Sequence, residues 1–390
     1  MAAILVSGLL LTAACDDEVF ETRPSAGELE FSRDTVFLDT VFTGISSSTR
    51  TFKVYNRSGQ NISIPRVSLG RGESSFYRLN VNGRPGKSFE NVQIPAKDSI
   101  YVFVEATIDF ESVSDPLYTD EVVFDEGPRM QEVRLITLVQ DAVFLFPERD
   151  ADGMKETIVI GTDPEGDEIE VEGFYLEGSP VWTDEKPYVI YGFAAVRPGE
   201  SLTVAQGARV YFHVNSGLVL KSGSSLSVNG SLQEKVIFQD DRLEPAFSDI
   251  PGQWSGILLT EGSSEHRINH AIIKNSTVGV FADVLQAEGA GSGLRIENTE
   301  IYNTSGYGLF ARSSNIYGSN LVVGNNGSAS LACTAGGSYR WIHSTFANYW
   351  SNGVRNFPAV LVSNADGGGA IQALFENSVI EGNQGIEFLL

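Results

Sequence analysis

The chain has 390 residues, with 40 Gly, 23 Phe and 13 Tyr against 3 Met, and a formal net charge of −23. That length supports two or more domains with real cores. The Gly-rich, aromatic-rich balance, with few stretches at helical period, points to an all-β protein. The acidity excludes nucleic acid as a default partner, because phosphate binding needs clustered Lys and Arg.

Ala2 to Ala14 is an apolar run ending in small residues. It is too short to span a bilayer, which takes roughly 20 apolar residues, and it fits the h-region of a secretory signal. Ala13-Ala14 directly before Cys15 resembles the lipobox of bacterial lipoproteins. The resemblance implies that residues 1–14 are a signal peptide and that Cys15 becomes the lipidated first residue. Asp16-Asp17-Glu18 is similar to the acidic export signal of Bacteroidota lipoproteins. It implies an outer-membrane protein held by its lipid, facing the exterior, with residues 15–27 as a tether. Several acyl chains anchor firmly where one binds only marginally.

Residues 28–142 read as an antiparallel β-sandwich. Thr51–Tyr55, Asn61–Ile64, Ser99–Ile108, Asp120–Phe124 and Glu132–Val139 are short apolar or alternating runs between Gly, Pro, Asn and Asp turns. Asp39–Gly44 leading to Arg50–Asn56, then Pro95–Val104, resembles immunoglobulin-like domains of the Hydin-related type. Such domains are spacers or interaction modules.

Residues 143–187 form an acidic β bridge. Asp150-Ala-Asp152-Gly153 and Asp163-Pro-Glu165-Gly-Asp167 set carboxylates beside Gly, a pattern that presents hard oxygens to Ca²⁺. Neither completes a twelve-residue calcium loop, and solvated turns are the plainer expectation.

Residues 188–390 carry a repeat of a polar residue, an apolar residue three places on, and usually Asn two after that, with Gly382 in the last copy. The copies begin at His270, Asn298, Asn320, His343 and Asn377. The starts are 28, 22, 23 and 34 residues apart (298−270, 320−298, 343−320, 377−343), the spacing of solenoid turns with inserted loops. Val196–Phe212, Gly217–Leu232 and Gly252-Gln-Trp-Ser-Gly-Ile257 resemble coils of right-handed parallel β-helix proteins. The predicted fold is therefore an immunoglobulin-like sandwich followed by a right-handed parallel β-helix. The repeat runs to Leu390 with no evident polar cap, as though truncated.

The scaffold resembles that of pectate lyases and polygalacturonases, so an enzyme acting on polysaccharides is one reading. Catalysis there needs carboxylates gathered on one outward face. The outward columns Ile272-Glu300-Val322-Thr345-Val379 and Lys274-Tyr302-Gly324-Ala347-Glu381 hold no adjacent acids, so no catalytic residue is assigned and a non-catalytic binding, adhesion or structural role is preferred. Asn275, Asn303, Asn325 and Asn348 read as a turn ladder inside the coils, and His270 and His343 as turn residues rather than metal ligands. Asp240-Asp241-Arg242 is the one acid–base cluster that stands out. Cys333 is expected to point inward as a small hydrophobe, unpaired with Cys15. Tyr302, Trp341 and Trp350 belong to an aromatic-rich stretch that could stack sugars or fill the core. The expected partners are the membrane and a polysaccharide or surface protein, with no cofactor beyond a Ca²⁺ candidate.

Overall fold

A computed structural model describes residues 21–162, 165–284, 293–365, 367 and 369–390. Cys15, Asp16, Asp17, Glu18 and Asp163 lie outside the described residues. Those described form strands joined by turns and short 3-10 segments, with no α-helix among them. The chain divides into two compact units, Met1–Gln140 and Asp141–Leu390.

The first unit pairs two sheets around one core. One holds Thr35–Phe42, Ile62–Leu69, Ser88–Ile94, Leu117–Phe124 and Gln131–Gln140; the other holds Arg50–Tyr55, Tyr77–Val81 and Ser99–Ala106 with short edge strands. Period-two alternation supplies the core. Along Ser99–Ala106, Ile100, Val102, Val104 and Ala106 are buried, while Tyr101 and Phe103 face out. The pairing is not wholly antiparallel as expected, because Thr35–Phe42 runs parallel to Gln131–Gln140. Alternation fixes which face a strand buries but not its direction.

The second unit is a stack of parallel strands in three ladders that the chain visits in turn. Among the described residues the first ladder has nine rungs, from Val143–Leu145 to Val379–Gly382. Parallel rungs thus begin inside the segment expected to be a bridge. The second ladder runs through Phe193–Val196, Gly217–Leu220, Gly256–Leu259 and Val280–Ala282, and the third through Ser201–Ala205, Ser225–Asn229, His266–Asn269 and Leu294–Glu297. Two long strands, Leu309–Ser319 and Leu331–Ile342, belong to both. The shared interior is one continuous apolar core.

The sequence repeat lies on the first ladder. Ile273, Ile301, Val323, Phe346 and Ile380 pair in succession, so unequal loops leave the rungs in register. His270, Asn298, Asn320, His343 and Asn377 all take left-handed backbone, with φ between 48° and 51°. Asn and His tolerate that region far better than branched residues do. The polar residue opening each copy is therefore a backbone requirement. The amides also link coils: Asn320 donates to Asn298, and Asn298 to Asn269, each at 2.8 Å.

Candidate functional site

A second repeat, on the second ladder, builds the site. Gly217-Leu-Val-Leu-Lys221, Gly256-Ile-Leu-Leu-Thr260, Gly279-Val-Phe-Ala-Asp283, Gly308-Leu-Phe-Ala-Arg312 and Ser330-Leu-Ala-Cys-Thr334 occupy successive rungs in register. The second and fourth positions of each copy point inward, Cys333 among them at 0% exposure. The third and fifth point outward. Outward files therefore run Val219-Leu258-Phe281-Phe310-Ala332 and Lys221-Thr260-Asp283-Arg312-Thr334. The glycine opening a copy is a matter of space. A Cβ on Gly308 would sit 2.5 Å from Val323 Cγ1 and 2.7 Å from the Ser330 carbonyl.

The hairpin Thr157–Thr162/Glu168–Tyr175 lies on this outward face. Its Ile158 forms a small separate core with Phe193, Ala195 and Val219, and Lys221 Nζ donates to the Val159 carbonyl at 2.7 Å. Beside it opens a groove of about 790 Å³ lined by Ile160, Ile169, Thr260, Glu261, Phe281, Asp283 and Arg312 among others. The aromatic file extends along the coils: Phe281 and Phe310 meet edge-on at 5.5 Å, Tyr307 stacks on Phe310 at 4.8 Å, and Phe357 meets Tyr307 at 5.8 Å. Phe281, Tyr307 and Phe310 are partly exposed and Phe357 is exposed.

Asp283 is half-buried in this groove. Burial holds its carboxyl above the ordinary carboxylate range; the Arg312 guanidinium opposes that shift and the charge of Glu261 adds to it. In a hollow of about 630 Å³ on the first unit both cations are already engaged. There Arg78 pairs with Glu105 at 3.5 Å and Lys87 Nζ donates to the Glu73 and Ser75 carbonyls.

The residues singled out from sequence fall elsewhere. Asn275, Asn303 and Asn348 are buried and Asn325 partly so. Asn325 donates to Asn303, Asn303 to Asp249 at 3.2 Å, and Asn275 to Asp240 at 2.8 Å. Asn275 also donates to the Ser248 carbonyl at 3.0 Å, and Asn348 donates to the Asn326 and Ser328 carbonyls. Asp240-Asp241-Arg242 does not converge. Asp240 is buried and accepts from Asn275, Asp241 faces out to His213 Nδ1 at 2.8 Å, and Arg242 lies over the Phe247 ring at 3.5 Å. Asp240 closes its strand with its side chain buried, while Asp241 and Arg242 lie beyond the strand in the following loop, which splits the cluster.

Trp341, considered for sugar stacking, is 0% exposed and packs edge-on against Phe346 at 5.8 Å. Its strand turns it into the core, so it offers no face to a ligand. Trp350 is buried too, at 9%, whereas Tyr302 is partly exposed. Asp150 Oδ1 accepts from the backbone N–H groups of Asp152 and Met154 at 3.0 and 2.8 Å, the geometry of a closed turn. Among the described residues no group of three or more His, Cys, Asp or Glu could hold a metal ion.

Asp283, Glu261, Arg312 and the rings Phe281, Phe310, Tyr307 and Phe357 follow the second ladder, whose outward files the Asn/His repeat of the first ladder does not reveal. The glycine-led repeat at 217, 256, 279 and 308 was the available signal.

The sequence matches no protein-family profile and no curated protein. Among solved structures, the catalytic unit of a thermostable GH87 α-1,3-glucanase from Streptomyces thermodiastaticus strain HF3-3 is similar at 12% identity, covering 86% of this chain and 64% of its own, with a TM-score of 0.24. This chain thus spans less than two thirds of that unit, and a likeness at that score carries no argument about activity.

Proposed function

We propose that the chain is a lipid-anchored surface protein of the outer membrane that binds an extended glycan along the groove of its second unit. The Cys15 and Asp16-Asp17-Glu18 resemblances support the anchor and its outward orientation. The first unit is then an immunoglobulin-like spacer, and the second a right-handed parallel β-helix, a reading supported by its three parallel ladders.

One observation carries the binding: the file Phe281, Phe310, Tyr307 and Phe357 runs along the coil stack beside Thr260, Glu261, Asp283 and Arg312. Apolar sugar faces stack on rings, while hydroxyls take hydrogen bonds from flanking polar groups. A polymer of repeating rings suits a surface that itself repeats rung by rung. Affinity electrophoresis of the full chain against neutral and acidic polysaccharides tests this. At least one should retard the protein, and Phe310→Ala should weaken that binding about tenfold, the size of one stacking contact. Equal retardation of both forms would remove the groove as the binding surface.

A further inference from the structure

We infer that Arg355 is the positioning residue of an end subsite on the ring file: it clamps the loop between strands Thr345–Asn348 and Val360–Ser363 to the following coil, and so fixes the Phe357 ring where one further sugar of a bound glycan stacks. This rests on the glycan-binding reading and adds to it the length of glycan that the surface reads.

The loop is an insertion. The two preceding coils pass from the first ladder to the second through 305–308 and 327–330, whereas this coil takes 349–359. The extra chain folds back over the coils before it. Trp350 packs on Gly327 of the neighbouring coil, where a Cβ would sit 3.3 Å from its Cζ2, and Phe357 reaches Tyr307 one coil further, at 5.8 Å. Phe357 is 39% exposed and ends the ring file. Pro358 follows it and holds its backbone extended.

Backbone pairing does not hold this loop: among the described residues, 349–358 make no backbone–backbone hydrogen bond. Side chains do. Arg355 is 3% exposed. Its two Nη groups donate to the Phe357 carbonyl at 2.6 Å, the Asn348 carbonyl at 2.9 Å, Asn383 Oδ1 at 2.8 Å and the two Glu387 oxygens at 2.6 and 2.9 Å. Glu387 also accepts the Ala359 and Gln384 N–H groups at 2.7 and 2.5 Å, and Gln384 Nε2 donates to the Arg355 carbonyl at 2.9 Å. The clamp thus grips the chain on both sides of Phe357 and at its own carbonyl. A buried ion pair is a poor means of merely stabilising a coil, since well-packed apolar residues do as well. What the guanidinium adds is direction, because its donors form a rigid planar fork. Direction matters where a ring must be presented, and the ring presented here is Phe357.

The experiment measures, by titration calorimetry on the full chain, the affinity for oligosaccharides of increasing length cut from a polysaccharide that retards it. In wild type the affinity should climb with length through a last step of about tenfold, the size of one stacking contact, as the glycan reaches Phe357. Phe357→Ala should abolish that step alone. Arg355→Met combined with Glu387→Leu, which leaves neither charge unpaired, should abolish it too while shorter oligosaccharides bind as in wild type. Arg355→Lys, which keeps the charge and loses the fork, should shrink the step. A step of wild-type size in Arg355→Lys or in the double variant, or an equal loss at every length, would overturn the positioning role. Wild type with no such step would overturn the end subsite and leave the binding standing. Absence of retardation by every polysaccharide would remove the binding reading and this proposal together.

Discussion

At the scale of single residues, burial decides which groups can ionise. His266 is 1% exposed; its Nδ1 accepts the Leu226 N–H at 3.1 Å and its Nε2–H donates to Ser263 Oγ at 2.9 Å, so the ring is neutral. Burial lowers its pKa from 6.5 to about 4. Above pH 6.5 the ring is neutral in both folded and unfolded chains and stability does not depend on it. Between pH 6.5 and about 4 only the unfolded chain takes the proton, so stability falls as pH falls, by about 3 kcal/mol in all. Urea unfolding of the second unit at pH 7 and pH 4.5 should show this decline, and His266→Gln should remove most of it. An equal decline in the variant would assign the pH dependence to other groups. Ile301 makes a second case. It is 0% exposed, so Ile301→Asp buries an unpaired carboxylate at a cost of several kcal/mol. Its neighbour Glu300 points outward to Lys235 at 2.5 Å, a partly exposed pair whose loss through Glu300→Ala should cost about 0.5 kcal/mol. Denaturant midpoints of the two variants should differ accordingly.

At the scale of the coil, one residue in each turn must serve backbone and side chain together. Asn298 holds φ of 49°, donates to Asn269 and accepts from Asn320. Asn298→Gly keeps the backbone and loses the amide bonds, whereas Asn298→Ala loses both. The Ala variant should be less stable than the Gly variant by about 1 kcal/mol. Equal stability would mean that the left-handed turn relaxes. This dual requirement is also why the first ladder was readable in sequence, since few residue types satisfy it and Asn or His therefore recurs. Ile301 and Val323 were legible as inward positions for the same reason. The second ladder was harder to see: its markers are small residues before three apolar ones, and Ser330 replaces the glycine in one copy. The groove was harder still. Which outward apolar residues stay exposed depends on where Thr157–Tyr175 folds back, and that segment reads locally as acidic turns. Trp341 could not be oriented from composition alone, because rings fill such cores as readily as they decorate their surfaces.

At the scale of the whole molecule, the two units have separate cores and separate ladders, so each should unfold in its own transition. Ile301→Asp should lower the midpoint of the second unit and leave that of the first unchanged, which limited proteolysis with mass analysis of the fragments would follow; simultaneous loss of both would join them into one cooperative body. The proposed anchor is testable at this scale as well. Cys15→Ala should move the protein from the membrane to the soluble fraction, and retention in the membrane would refute lipidation at that residue. The position of Cys333 has a further use. Its thiol is fully buried between rungs and its pKa is pushed upward by burial, so it cannot react with an alkylating reagent while the stack is closed. In a Cys15→Ser background it is the chain's one remaining thiol. Its labelling rate, divided by that of the denatured chain, then acts as a chemical clock that reports how often the middle of the stack opens in solution, and how far a bound glycan slows it.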